Sequence, residues 1–348
     1  MRRGYYGWDE SELPLAALAA RRARLQTAMA GARLDGLAFY TNIARPAAVS
    51  WLTGFTPYWS EGLLFVGRVG EPEFATALSK RVAEWMRAVT PVGALLTTPK
   101  PAEYFAKRLA NASGPRRLGV LELDMLPGGQ AAEILAVAPD VELVDATDLF
   151  RAARLQRDDA ELGLFAHGAV IAREALAHID SSASRDAFAL VGAIEKSARD
   201  ARAEDVQVTL APDLARDASF MRVDRAEAVG ESFAIRASIA YKSTWVRRAR
   251  SVSTDAALAS RFAALEGALD TLIARHDPTR PIGAQLANAL HAVPGASLKG
   301  WTLEDCRGSY PLEIVAGEEI GDATAGACSI LTVHALINGV NWIASRPI

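Results

Sequence analysis

The sequence predicts two domains, an α/β domain over residues 1–150 and an α+β domain over residues 151–348. In the first half, short apolar runs of strand length alternate with helical stretches, which is the pattern of an α/β fold. After residue 150, two long helical stretches follow each other with no strand between them, and runs of strands then stand beside runs of helices. The chain has 348 residues and is 50% hydrophobic, which is enough for two buried cores.

The first half opens with a predicted helix at 13–34, where Ala, Leu and Arg recur at helical spacing before an Asp-Gly stop signal. Short apolar runs then predict strands, and the segments between them predict helices. The predicted strands are 37–40, 63–66, 73–78, 118–123 and 141–144. The predicted helices among them are 80–89, 102–112 and 130–137.

The second half is expected to begin with the helices 159–179 and 185–202. The strands that follow are 206–210, 232–241, 244–253 and 328–336, and the remaining helices are 255–275 and 282–293. No internal repeat, low-complexity tract or long Pro/Gly linker separates the two halves. We therefore expect them to pack on each other.

Composition and charge exclude several classes of function. With 38 basic and 41 acidic residues the formal charge is −3, so no global field attracts nucleic acid or an anionic membrane. The chain has no apolar run of the ~20 residues that a membrane helix needs. Its start reaches Asp9 and Glu10 before any apolar stretch, unlike a secretory signal. Two cysteines, Cys306 and Cys328, fit a reducing compartment, and we expect a cytoplasmic protein.

The order of elements and two phrases resemble the creatinase / Xaa-Pro peptidase (prolidase) family over nearly the whole chain. Ser50-Trp51-Leu52-Thr53-Gly54-Phe55 is similar to the family phrase Tyr-Leu-Thr-Gly-Phe. The segment 154–162 is similar to the family's Arg-x-Ile-Lys-Ser-x-x-Glu-Ile entry into the catalytic domain. The resemblance implies a creatinase-like N-terminal domain and a C-terminal domain with the pita-bread fold of methionine aminopeptidase, shortened at its C-terminus. It also implies a homodimer.

In hydrolytic members of this family, two Asp, one His and two Glu hold a pair of divalent cations. The matching phrases of this chain are 230–236, 241–251, 300–311 and 331–335. They place Arg236 and Arg247 at the aspartate positions, Trp301 at the histidine and His334 at the first glutamate, with the second glutamate near 342–343. A guanidinium has only donors and cannot ligate a cation. Because these residues stand at the ligand positions, we expect neither a dinuclear metal site nor another cofactor.

Arg236 and Arg247 are expected to face one partly buried pocket, where two like charges repel by a few kcal/mol at an intermediate dielectric. They need a partner, and two alternatives stay open. One is an internal salt-bridge network with Glu304, Asp305 or Glu313. The other is an anionic ligand, because the guanidinium fork suits a carboxylate equally well.

Strand alternation places Trp245 on the face of Arg247 and Arg248 on the other face, where we expect Arg248 to be solvated. Trp245 and Trp301 either belong to the core or wall a pocket for an organic ligand. His334 is the titratable group of this set suited to general acid–base chemistry, with a structural histidine as the alternative.

In creatinase-like members the first domain also contributes an arginine and aromatic side chains to the partner subunit's pocket. A polar and aromatic cluster around Arg45 and Trp59 is the matching candidate here. The alternative is that these residues belong to the core or to a domain interface.

Two functions remain. The first is a metal-free relative of creatinase-type hydrolases that binds a small carboxylate-bearing molecule and, if it is an enzyme, cleaves a C–N or related bond with His334 as a hydrolase or lyase. The second is a non-catalytic pseudoenzyme that binds a peptide or a protein. Fold resemblance is compatible with both, so the site must decide between them.

Overall fold

The computed structural model describes residues 8–55, 60–110, 116–177, 179 and 186–348. These residues form two compact units. One unit comprises the described residues up to Gly163 together with Cys306–Pro311, and the other comprises those of 164–305 and Leu312–Ile348. The first unit is α/β and the second is α+β, so the fold class expected from the sequence is confirmed.

The N-terminal unit is built on a mixed sheet of six strands in the order β4-β3-β2-β1-β5-β6. Its strands are β1 Gly36–Thr41, β2 Gly62–Gly67, β3 Glu73–Thr76, β4 Ala94–Thr97, β5 Arg116–Val120 and β6 Val141–Asp145. Its helices are α1 Leu15–Gly31, α2 Ala47–Thr53, α3 Ala83–Val89, α4 Pro101–Ala110, α5 Gly128–Val137 and α6 Thr147–Arg154. Alternate residues of β1 face opposite sides of this sheet, and helices cover both sides. Phe39 lies in a core with Phe150 of α6, whereas Ala38 lies in a core with Phe105 of α4.

The C-terminal unit is built on an antiparallel sheet of seven strands in the order β11-β10-β12-β13-β9-β8-β7. Its strands are β7 Asp205–Ala211, β8 Ser232–Tyr241, β9 Thr244–Ser253, β10 Ala296–Asp305, β11 Glu313–Gly317, β12 Ile330–Ile337 and β13 Val340–Pro347. Its helices are α7 Asp159–Ala177, which belongs to this unit from Leu164 onward, α8 Ala187–Asp200, α9 Ala256–Arg275 and α10 Ile282–His291.

Two helix pairs pack on this sheet. Helices α7 and α8 share a core with Phe233, Ile235 and other residues of β8, and helices α9 and α10 share a core with Leu331 and Val333 of β12. Residues that alternate with these side chains lie on the other side of their strands. We call that side the inner face of the sheet. Within the described chain, no helix is long and apolar enough to cross a bilayer.

Candidate functional site

Arg236 and Arg247 lie on the inner face of the sheet, on neighbouring strands. In the β8/β9 ladder Arg236 is opposite Ala249, and Ser238 is opposite Arg247. Residues directly opposite each other in a ladder project to the same face, and so do residues two apart on one strand. The sequence expectation that these two arginines share one face is therefore met by the register.

Arg247 has an internal partner. Its Nη1 forms an ion pair with Oε1 of Glu304 on β10, and its Nε donates to Ser238 Oγ at 2.9 Å. Glu304 is only 5% exposed, whereas the Arg247 side chain keeps 22% of its surface exposed. For Arg247, the structure thus shows the first alternative left open by the sequence, a salt bridge within the protein.

Arg236 is held differently. Its Nε donates to Thr209 Oγ1 at 3.1 Å, and its guanidinium carbon lies 4.4 Å from the centroid of the Phe220 ring. Neither Nη atom hydrogen-bonds to any residue that the structure describes, and no described carboxylate forms an ion pair with it. Burial lowers the pKa of Arg236, Arg247 lowers it further, and Glu304 opposes both. Of the two inner-face arginines, Arg236 is the one without a direct carboxylate partner among the described residues.

His334 also lies on the inner face and has a defined orientation. Asn341 donates through Nδ2 to the Leu214 carbonyl at 2.8 Å, so its Oδ1 points to His334 Nε2, also at 2.8 Å. An oxygen acceptor at this position makes Nε2 the protonated nitrogen of the neutral ring. Nδ1 is then the nitrogen that can accept a proton.

A cleft of about 530 Å³ opens on the inner face beside His334. Thr302, Thr332 and Ile343 line it together with His334, and Ile314 and Ile320 are among its other lining residues. Both of these isoleucines are largely exposed. The cleft therefore combines hydroxyls, one imidazole and apolar surface with the charged residues Lys299, Glu318 and Glu319.

The segment 212–231, which joins β7 to β8, contributes residues that sequence reasoning missed. It contains no helix and no extended strand over about twenty residues, a length at which loops are usually functional or disordered. Phe220 of this segment stacks on Arg236, and Leu214 anchors Asn341. The length of this connection was the available signal in the sequence.

Trp301 and Trp245 occupy different environments. Trp301 is 8% exposed and belongs to the core with α9 and α10, where a Cβ at Gly283 would lie 2.9 Å from its ring. Its side chain therefore lies on the helix side, opposite that of Thr302, and its position is that of a core residue. Trp245 is half-buried and shares the inner face with Arg247 by alternation.

The N-terminal candidates lie in the other unit. Arg45 forms an ion pair with Glu122 at 2.5 Å, donates to Tyr310 Oη at 2.9 Å and lies over the Tyr310 ring. Glu122 also accepts from the Ser309 amide at 3.1 Å, so Arg45 belongs to a buried polar cluster within this unit. Trp59 lies outside the described residues.

The expectation that Arg248 is solvated is wrong. Its side chain is half-buried on the face of β9 opposite Arg247. Burial and the neighbouring Arg346 lower the pKa of Arg248 to about 10.

The five positions that the family resemblance associates with metal ligands carry no clustered donors. Across the described ranges, no group of three or more His, Cys, Asp or Glu side chains is arranged to hold a metal ion. Trp342 is fully buried in the helix-side core, which leaves Ile343 as the residue opposite His334 in the β12/β13 ladder.

Solved structures show which fold this geometry belongs to. A prolidase from Pyrococcus horikoshii OT3 aligns with a TM-score of 0.68 at 13% identity, covering 93% of each chain. An Xaa-Pro dipeptidase from Bacillus anthracis aligns with a TM-score of 0.67 at 16% identity, covering 94% of this chain and 93% of that one. The N-terminal domain of FACT complex subunit SPT16 from chickpea, Cicer arietinum, aligns with a TM-score of 0.60 at 14% identity over 94% and 93%. The chain therefore has the two-domain fold of the prolidases, with a pita-bread C-terminal domain.

Residues 21–156 match the family model of the Creatinase/Prolidase N-terminal domain. The creatinase/prolidase resemblance seen in the sequence is thereby confirmed. No curated protein sequence matches the chain significantly.

Proposed function

We propose that this protein binds a small carboxylate-bearing molecule through Arg236 and does so without the dinuclear metal site of the prolidases. The observation that carries the proposal is the state of the Arg236 guanidinium. It is stacked on Phe220 and tethered by Thr209, while both Nη groups lack partners among the described residues. A planar, oriented guanidinium with two unused donor nitrogens is suited to bidentate carboxylate binding.

The donor set supports the metal-free part of the proposal. A cation pair requires several anionic oxygen ligands that offset four positive charges. Here two of the corresponding positions carry guanidiniums, and one of those, Arg247, already neutralises Glu304. The residues present do not fit such a pair, and we assign no step to a metal.

His334 supplies the chemistry of the same proposal. Hydrolysis of a C–N bond adds the hydroxyl of a water molecule to carbon and a proton to the leaving nitrogen. Nδ1 of His334 is available to take the proton from that water and to return it to nitrogen, because Asn341 holds the other ring nitrogen as a donor. The cleft beside His334 is where the scissile bond is proposed to lie.

The binding part is tested by the stabilisation that small carboxylates confer. Acetate is titrated against chloride at constant ionic strength while the melting temperature is measured. An anion that binds a specific site raises the melting temperature, because at one hundred times Kd it adds about 2.7 kcal/mol to the stability of the folded state. Arg236→Gln should abolish this response. Arg216→Gln is the matched control, because the Arg216 side chain is 87% exposed in the same unit. An unchanged response in Arg236→Gln would contradict the proposal.

Metal content and turnover are tested separately. We expect less than stoichiometric divalent metal in the purified protein, and about two ions per chain would overturn the assignment of the five positions. His334→Gln should bind carboxylates normally but lose hydrolysis of carboxylate-bearing amides. Binding without any turnover in the wild type would favour the alternative, a non-catalytic binding module. As further parts of this proposal, the protein is cytoplasmic and forms a homodimer. Light scattering of the purified chain tests the dimer.

A further inference from the structure

The cleft has free space directly beside His334. In the β10/β12 ladder Gly300 is opposite His334, so the position next to the imidazole carries no side chain. Residues directly opposite each other project to the same face, and both residues line the cleft of about 530 Å³. A Cβ placed on Gly300 would have Glu318 Oε2 as its nearest neighbour, at 3.4 Å. His334 therefore borders room for part of a ligand.

Isoleucine side chains form apolar walls around this space. Ile343 is opposite His334 in the β12/β13 ladder and lies on the inner face with it. Ile314 of β11 is opposite Glu304, which places it on the same face. Ile314 is 54% exposed, and Ile320, which follows β11, is 63% exposed. Since these side chains line the cleft, an apolar group bound there would remove their surface from water.

One hydroxyl group in the cleft is unused. Thr332 shares a hydrogen bond with Ser345 at 2.7 Å, whereas the Thr302 hydroxyl bonds to no residue within the described ranges. Thr302 is opposite Thr332 in the β10/β12 ladder and lines the same cleft. A hydroxyl group can donate to a carbonyl oxygen. A carbonyl group attached to an apolar chain therefore fits this lining.

The charged residues of the cleft are Lys299, Glu318 and Glu319, and all three are exposed. None of them forms an ion pair with a residue of the described chain. Two negative charges and one positive charge leave an excess of one negative charge. This excess disfavours a carboxylate group in the cleft, because like charges repel. The carboxylate of a ligand is therefore better placed at Arg236, and its uncharged end in the cleft.

Arg236 lies in the same transverse row of the sheet as the floor of the cleft. Ladder pairs link Arg236 to Ala249, Ala249 to Ser345, and Ser345 to Thr332. Neighbouring strands are about 4.8 Å apart, so three steps correspond to about 14 Å along the sheet. A molecule that reaches both Arg236 and the cleft is therefore extended, with its two ends in different surroundings.

We propose that the cleft binds an uncharged alkyl or aryl acyl group, and that the substrate is an N-acyl compound whose nitrogen side carries the carboxylate. The assignment of this substrate rests on the proposed function. Hydrolysis breaks the bond between the acyl carbon and nitrogen, and water supplies a hydroxyl group to carbon and a proton to nitrogen. The products are an alkyl or aryl carboxylic acid and an amine that keeps the other carboxylate. Gly300 is the specificity-determining position, because its missing side chain leaves the space beside His334.

The test uses neutral amides, which carry no charge for Arg236 to bind. Acetamide, butanamide and hexanamide are each titrated while the melting temperature is measured. Each methylene that becomes buried should raise affinity about fourfold, so hexanamide should bind wild type at least about tenfold more tightly than acetamide. Gly300→Val should lose this dependence on chain length, since its methyl groups would occupy the cleft. Ser297→Val is the matched control, because Ser297 is an exposed residue of the same strand outside the cleft.

Ile320→Ser is a second variant, at an exposed position after β11. It should weaken hexanamide binding several-fold, because it removes part of the apolar wall. Equal affinities of acetamide and hexanamide for wild type would overturn the assignment of the cleft. Unchanged hexanamide binding in both Gly300→Val and Ile320→Ser would overturn it as well.

Arg236→Gln separates this inference from the proposed function. The variant should lose the acetate response and keep the hexanamide response. Loss of the hexanamide response in Arg236→Gln would mean that the amide binds outside the cleft, and would refute the inference. A hexanamide response without an acetate response in wild type would instead leave the acyl site standing and refute carboxylate binding at Arg236.

Discussion

Replacing Glu304 with Gln is the sharpest perturbation of the inner face. The side chain keeps its shape, but the ion pair with Arg247 is lost, and the counter-charge that acts on Arg236 disappears with it. Two guanidiniums would then share a face of the sheet without a direct carboxylate partner. We therefore expect Glu304→Gln to lower stability and to raise affinity for anions at the same time.

The size of the stability loss follows from burial. At an effective dielectric of about 20, two charges 4 Å apart attract by about 4 kcal/mol. Breaking a fully buried pair typically costs about 3–5 kcal/mol. Glu304 is 5% exposed, but the Arg247 side chain keeps 22% of its surface in water, which reduces the penalty for leaving it alone. The expected loss is about 2–3 kcal/mol, or roughly 5–10 °C in the melting temperature.

Urea unfolding followed by far-ultraviolet circular dichroism measures the loss, and acetate titration measures the gain in affinity. Glu227→Gln is the control, since it makes the same change in net charge at an exposed position in the segment 212–231. If Glu304→Gln were as stable as wild type, or bound acetate no more tightly, the electrostatic account of the inner face would be refuted. Loss of acetate binding would place Glu304 among the residues that hold the ligand.

Other predictions concern both units. Burial and Asp205 raise the pKa of Glu204 from 4.5 to about 8, although the hydrogen bond from the Ser243 amide opposes the shift. Between pH 4.5 and 8 the folded state therefore holds a proton that the unfolded state has lost, and stability falls as pH rises. Glu204→Gln should therefore stabilise the protein above pH 8, by on the order of 2–4 kcal/mol, and should have little effect near pH 4.5. Urea unfolding at both pH values measures this, and equal effects would exclude ionisation of Glu204 as the cause. Gly54 ends α2 with φ 66°, and a Cβ there would lie 3.1 Å from Leu13, so Gly54→Ala should cost roughly 1–2 kcal/mol. Gly31→Ala, with no atom near its Cβ, should instead be neutral or stabilising, and equal urea midpoints for the two variants would contradict the argument.

Much of the fold was predictable because it is encoded locally. Apolar runs of strand length and helical periodicity marked β8, β9, α7 and α9. Strand β10 was not predicted, since it carries Lys299, Gly300 and two acidic residues, and its conformation depends on pairing with both β11 and β12. Helix α2 was missed because its short sequence carries no side-chain cap.

The site was predictable only in part, for the same reason. Spacing against the family phrases singled out Arg236, Arg247 and His334, and it included Glu304 among several possible partners. Nothing local distinguishes Glu304 from Asp305 as the partner of Arg247, because the choice depends on the register of strands that are more than fifty residues apart in sequence.

The sequence by itself thus determined the fold class, and spacing against the family phrases singled out the two inner-face arginines. Tertiary structure alone decided which arginine is neutralised. Glu304 reaches Arg247, and Phe220 of a long loop stacks on Arg236. It also decided that Arg248 is half-buried rather than fully solvated, because burial on the helix side depends on how the helices pack on the sheet. Charge is a property of the sequence, but its compensation depends on distances that only the folded chain sets.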